Sequence, residues 1–182
     1  PRLPLQASHD HVGIGAFRCR VRAERQGEQP LFTVDLARGR ITRRLADGAM
    51  VGWALGPGGD SVVYTRSRVS APPEVFTASF ADSSGRRLTR FNEQLETEVD
   101  IRSAESLWVP TADGRRIHVF VVKPHDFDPE KTYPLILNVH GGPFGPFDAW
   151  GFNPETQYFA QHGYATLQVN FRGSGNRGVD FE

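Results

Sequence analysis

Tyr133-Pro134-Leu135-Ile136-Leu137-Asn138-Val139 runs straight into His140-Gly141-Gly142-Pro143. Leu135, Ile136, Leu137 and Val139 make a nearly continuous apolar strand, the composition of a strand in a sheet covered on both faces. Downstream, Asn153-Pro154-Glu155 starts a helix with a capping side chain, Pro at the first position and an early acid. Gly163 ends that helix after His162. Ala165, Leu167, Val169 and Phe171 then alternate with Thr166, Gln168 and Asn170, which predicts a second strand. Strand, helix and strand in this order predict a right-handed crossover and a parallel pair. The carboxyl ends of parallel strands are where α/β proteins bind ligands, and both strands run into glycine-rich loops.

The first loop is His140-Gly141-Gly142-Pro143. Its glycines let the backbone approach a ligand closely and leave N–H groups that can stabilise a developing oxyanion. An ordinary Gly-Pro turn is the alternative reading. The second loop is Arg172-Gly173-Ser174-Gly175-Asn176-Arg177-Gly178. Gly173, Gly175 and Gly178 match the spacing of the dinucleotide fingerprint, which also requires a following helix and an acid about 20 residues on. The sequence stops at Glu182, before either can be tested, and Arg172 is not a residue the fingerprint needs. No cofactor is expected.

Upstream, Asp113-Gly114 separates Ser106–Pro110 from Arg116–Lys123, a hairpin signal because both turn residues tolerate positive φ. The first hundred residues read as short strands between turn signals: 16–25, 31–36, 40–44, 51–55, 61–66, 75–80 and 87–91. Pro72-Pro73 and Gly56-Pro57-Gly58-Gly59 are among the breakers. Leu31-Phe32-Thr33 followed by Arg40-Ile41-Thr42-Arg43 resembles Val75-Phe76-Thr77 followed by Arg87-Leu88-Thr89-Arg90. A period of about 45 residues with four strands per unit is the pattern of propeller blades. Two copies leave a β-sandwich fragment open.

Twenty-one Lys+Arg balance 21 Asp+Glu over 182 residues, so no broad basic surface for nucleic acid is expected. Cys19 is the one cysteine, which excludes a disulfide framework or thiolate metal cage within the chain and leaves the compartment open. No apolar run reaches about 18 residues, so no membrane span is expected. Pro1-Arg2-Leu3-Pro4 holds neither an initiator Met nor a signal-type core, and Met50 is the only Met, which suggests a piece of a longer chain. His9 and His11 lack a third ligand nearby, so no metal site is assigned. His118 reads as a sheet-face residue. Glu93, Glu96, Glu98 and Asp100 read as a solvated acidic linker, and Trp53, Trp108 and Trp150 as packing residues. Trp150 and Phe147 also qualify as walls of a substrate pocket.

Asp113-Gly114, Lys123-Pro124, Phe127-Asp128-Pro129, Tyr133-Pro134, His140-Gly141-Gly142-Pro143, Gly163-Tyr164 and Arg172-Gly173-Ser174 stand in the order seen in prolyl oligopeptidase family serine peptidases. The stretch from Arg66-Ser67 to Leu88-Thr89-Arg90-Phe91-Asn92 resembles the last propeller blade of those enzymes. The likeness covers roughly residues 50–182, and the acylaminoacyl-peptidase and dipeptidyl-peptidase branches look closest. It implies a β-propeller end over residues 1–100, all-β blades, followed by the N-terminal part of an α/β-hydrolase fold over residues 101–182. It implies acyl transfer to a Ser, Asp, His triad with a peptide as substrate. Charge balance and the lack of a long apolar run leave neither nucleic acid nor membrane expected as partner, and the oligomeric state is open. No Gly-x-Ser-x-Gly elbow occurs, so the triad is expected beyond Glu182, no catalytic residue lies in this chain, and the chain alone is expected to be inactive. The family's oxyanion loop carries over to His140, Gly141 and Gly142, with the donor either a glycine N–H or the imidazole. Arg172, Gly173 and Ser174 carry over as residues that organise the site. An esterase on the same fold and a non-catalytic propeller-containing binding protein are the rival readings.

Overall fold

The computed structural model describes residues 6–7, 13–15, 18–24, 28–45, 48–82, 85–141 and 151–175. They are mostly β-sheet with few helices, arranged in three sheets in chain order. The first sheet is antiparallel. It holds β1 (Gln6–Ala7), β2 (Gly13–Gly15), β3 (Arg18–Glu24), β4 (Leu31–Asp35) and β5 (Arg40–Leu45), with β1 and β2 both pairing with β3. The second is a four-stranded meander of β6 (Ala49–Leu55), β7 (Ser61–Arg68), β8 (Ala71–Ser79) and β9 (Gly85–Arg87). The repeated segments fall on equivalent strands. Leu31-Phe32-Thr33 lies in β4 and Val75-Phe76-Thr77 in β8, each next to the last strand of its sheet.

These two sheets share one core. Leu31 and Leu45 of the first sheet pack with Met50, Trp53, Val62, Tyr64, Phe76 and Ala78 of the second, together with Phe80 just beyond β8. Burying a large apolar side chain of this kind stabilises by about 1.5–3 kcal/mol each. Two arginines join the packing instead of standing in solvent. The Arg20 guanidinium lies 4.3 Å from the Phe80 ring centre, and Arg22 Nη1 donates to the Met50 carbonyl at 2.7 Å. Burial, with Arg18 and Arg44 nearby, lowers the Arg20 pKa from its ordinary value.

Three local features differ from the sequence reading. Pro72 and Pro73 lie inside β8 rather than breaking the chain. The register shifts between Arg66 and Arg68, where Arg66 faces Glu74 and Arg68 faces Ala71, so two prolines oppose the single residue Ser67. A bulge is where a strand tolerates residues that lack an N–H. Next, the strand expected over 87–91 is only Gly85–Arg87. Beyond it one backbone bond continues, from the Leu88 N–H to the Val75 carbonyl at 2.7 Å, and then a side chain takes over, the Val75 N–H donating to Thr89 Oγ1 at 2.9 Å. The acidic linker is also partly helical, as α1 (Glu93–Glu98), with Glu96 paired to Arg87 at 2.7 Å.

The third sheet contains β10 (Ala104–Pro110), β11 (Arg116–Val122), β12 (Leu135–Val139) and β13 (Ala165–Asn170), in the order β10-β11-β13-β12. β10, β11 and β13 are antiparallel, whereas β12 and β13 run parallel, Val139 opposite Val169. Between them stands α2 (Pro154–Gln161), capped by Asn153 Oδ1, which accepts from the N–H groups of Glu155 and Thr156. The hairpin at Asp113-Gly114 forms, but only Gly114 takes positive φ, 79°, because the five-residue connection needs one left-handed position. β12 departs from the expectation of two covered faces. It is an edge strand on which Leu135, Leu137 and Val139 are each more than half exposed, and no described element packs over them.

Candidate active-site loops

The parallel pair brings two sequence-distant loops together. β12 delivers His140 and β13 delivers Arg172, Gly173 and Ser174 to the same carboxyl edge of the sheet. His140 Nε2 and Ser174 Oγ stand 2.7 Å apart, and the imidazole stacks on Phe171 with centroids 4.6 Å apart and planes 18° from parallel. The other ring nitrogen, Nδ1, lies 2.8 Å from the Gly141 carbonyl oxygen. A carbonyl only accepts, so Nδ1 carries the proton, and in the neutral ring Nε2 accepts from the Ser174 hydroxyl. Both ring nitrogens are therefore engaged within the protein.

A serine hydroxyl donating to a histidine is the geometry of an activated nucleophile, but the surroundings argue against that role. Ser174 is fully buried. The histidine's second nitrogen meets a carbonyl rather than an orienting carboxylate. The pair works as a tie between the two loops. The Ser174 N–H adds a turn bond to the Phe171 carbonyl at 3.0 Å, closing the loop around Gly173. Gly173 has φ of 94°, a conformation costly for any residue with a Cβ.

Arg172 points to the outer rim, where its guanidinium pairs with Asp113 at the β10–β11 turn. That carboxylate also accepts from Thr111 Oγ1 and the Arg115 N–H, and these hydrogen bonds with the Arg172 charge lower its pKa. The pair is exposed, so solvent screens it and it contributes little to stability. Beneath the loops, His118 is buried between Trp108 and Phe120, its ring 4.5 Å from the Trp108 centroid and its Nε2 2.8 Å from Ser106 Oγ. The sheet-face reading of His118 fits a side chain enclosed in the packing.

Gly141 is exposed, and a Cβ built there would meet no atom of the described residues within 4 Å. Gly142, Phe147 and Trp150 lie outside the described residues, as do His9, His11 and Asn176-Arg177-Gly178. Among the described residues no group of three or more His, Cys, Asp or Glu side chains forms a metal site.

Sequence reasoning did not single out Ser67 and Gln157. The Phe152 N–H donates to Ser67 Oγ at 2.7 Å, which joins β7 to the chain entering α2. Gln157 Nε2 donates to the carbonyls of Val69 and Arg102, and its Oε1 accepts from the Arg102 N–H. Val69 packs with Val122 and Ala160 beside these bonds. A cavity of about 200 Å³, lined by Val69, Phe152, Thr156 and Gln168, lies in the same junction. The partners are separated by 55 to 88 residues, so no local pattern marks them.

No protein-family model matches the chain. It is 29% identical over 160 residues to dipeptidyl-peptidase 5 of Schizosaccharomyces pombe, covering 87% of this chain and 23% of that protein. It is 28% identical over 156 residues to the uncharacterized peptidase YuxL of Bacillus subtilis, covering 86% of this chain and 23% of that protein. The chain thus spans about a quarter of the length of these curated relatives. The acylaminoacyl peptidase of Pyrococcus horikoshii shares its fold with a TM-score of 0.82 at 21% identity, over 98% of this chain and 27% of that one. The ordered motifs, the relatives and the common fold converge: the chain is similar to peptidases of the prolyl oligopeptidase family.

Proposed function

We propose that this chain supplies the oxyanion side of a serine peptidase's active site, carried at the junction of a propeller end (residues 1–100) and the first part of an α/β-hydrolase domain (residues 101–182). The nucleophile, acid and base of acyl transfer belong to an elbow and loops outside these residues, and a peptide is the substrate. The observation that carries this reading is the 2.7 Å link from His140 Nε2 to Ser174 Oγ, which fixes the start of the glycine loop at the carboxyl edge of a parallel pair. With both ring nitrogens of His140 occupied, the donors to a developing oxyanion are the backbone N–H groups of Gly141 and Gly142 rather than the imidazole. Ser174 and Gly173 hold His140 and its loop, and Arg172 braces the second loop against Asp113. Phe147 and Trp150 serve as walls of the substrate pocket.

The test is turnover by the full-length protein of peptide anilides and of simple esters. Hydrolysis of anilides, with labelling of one serine outside these 182 residues by a fluorophosphonate, is the expected result. Activity on esters alone would replace the peptidase with an esterase, and absence of any labelled serine would leave a binding protein.

A further inference from the structure

Thr33 in β4 and Thr77 in β8 are equivalent positions of the repeat, and the neighbouring strands place Arg20 opposite Thr33 and Val63 opposite Thr77. The second pair is satisfied within its own sheet, since Thr77 Oγ1 donates to the Val62 carbonyl at 3.1 Å. The first pair is not. Thr33 is 6% exposed and Arg20 8%, yet Thr33 Oγ1 and Arg20 Nε have no hydrogen-bond partner among the described residues. Arg20 spans the gap between the first and second sheets, with its guanidinium beside Phe80 and its Nη2 donating to the Gly59 carbonyl at 3.4 Å. Directly opposed residues of an antiparallel pair share a face, so Thr33 lies in the same gap. Arg18 shares that face by strand alternation. Arg44 of β5 brings a further buried Nε that lacks a partner among the described residues. Burial first, then Arg18 and Arg44, lower the Arg20 pKa, and the Asp60 carboxylate opposes them only in part.

Burying a donor without an acceptor is costly, most of all when it is charged, so buried charges are ordinarily paired. Here every unmatched group is a donor and the local charge is positive, which suits an acceptor that is itself negative. We propose that Arg20, Thr33 and Arg44 form a binding site for a small inorganic anion of the phosphate class, held between the first and second sheets. Arg20 Nε and Thr33 Oγ1 donate to its oxygens, and Arg44 Nε adds a third donor. Arg18, which is exposed, contributes charge at the rim. Planar guanidinium donors match the oxygens of such an anion better than an ammonium would. Bound there, the anion ties the two sheets together beside their apolar core.

The experiment titrates the full-length protein with inorganic phosphate, holding ionic strength with a bulky organic salt, and reads calorimetric binding and the thermal midpoint. Saturable binding of phosphate is expected, with a midpoint that rises with its concentration as mass action requires. Arg20→Met keeps the aliphatic stem beside Phe80 and removes the charge, and is expected to weaken Kd at least about tenfold. Thr33→Val keeps the shape and removes the hydroxyl, and is expected to weaken Kd about fivefold. Without phosphate its midpoint should match or exceed that of the wild type, because a methyl replaces a hydroxyl that has no acceptor. A threonine with a merely structural role would not give that split. If Arg20→Met does not fold, Thr33→Val and Arg44→Gln carry the test. A wild type that binds no phosphate saturably overturns the proposal. So does binding that the variants leave within about twofold, which marks an adventitious ion only.

Discussion

Glu74 shows how far a single side chain reaches in this molecule. Its carboxylate is 3% exposed, accepts from Thr89 Oγ1 and from the Asn92 N–H at 2.7 Å, and forms an ion pair with Arg87 Nη2 at 2.9 Å. Burial alone would raise its pKa. The hydrogen bonds from Thr89, Asn92, Arg87 and Phe91 outweigh that and hold it at about 2. Because the folded value lies below the ordinary 4.5, the stabilisation is complete above about pH 4.5 and disappears as the pH falls toward 2. Glu74→Gln is expected to cost about 1–3 kcal/mol at pH 7, since an amide presents a donor to donors, and the deficit should close in acid. Urea unfolding at pH 7 and near pH 2.5 reads both. Gly141→Ala separates function from folding at the same scale. With no atom of the described residues within 4 Å of the new Cβ, thermal stability should hold, while kcat/KM for the peptide hydrolysis proposed for the full-length protein falls at least about tenfold because the methyl crowds the proposed donor.

Among the elements, α2 and the strands on either side of it were legible from residues 133–171. Pro at the first helical position, Asn153 before it and Gly163 after it are local signals, and local hydrogen bonds realise them. Asn153→Ala removes the acceptor for two N–H groups and is expected to cost about 1 kcal/mol, seen as a lower thermal midpoint. Pro72-Pro73 and the 87–91 strand were misread for one reason. Whether a strand continues depends on how it meets its neighbour, and here the meeting is a bulge in one case and, in the other, a β8 N–H taken by the Thr89 hydroxyl in place of a backbone carbonyl. The site divided along the same line. His140 and Ser174 could be placed at one edge of the sheet because each follows a strand with a clear period. Their mutual bond, and the bonds of Ser67 and Gln157, arise from tertiary packing that no spacing encodes.

On the scale of the whole molecule, the third sheet leaves Leu135, Leu137 and Val139 uncovered by any described element. A face of this kind binds other apolar surfaces. The 182-residue chain in isolation is expected to enhance the fluorescence of an apolar dye and to self-associate with rising concentration, and Leu137→Lys should reduce both. The same preparation should take no fluorophosphonate label, Ser174 included, because that hydroxyl is buried. Stoichiometric labelling of Ser174 would reverse its assignment as a tie.

The bond from Phe152 to Ser67 joins positions 85 residues apart, and the one from Gln157 to Val69 joins positions 88 apart. Hairpins such as β7–β8 close within a few residues and form early, whereas contacts that shut long loops must wait until the intervening chain has collapsed. The second sheet can therefore exist before the chain entering α2 has its final support. The junction between the second and third sheets is therefore completed late on the folding route, after the hairpins on either side of it.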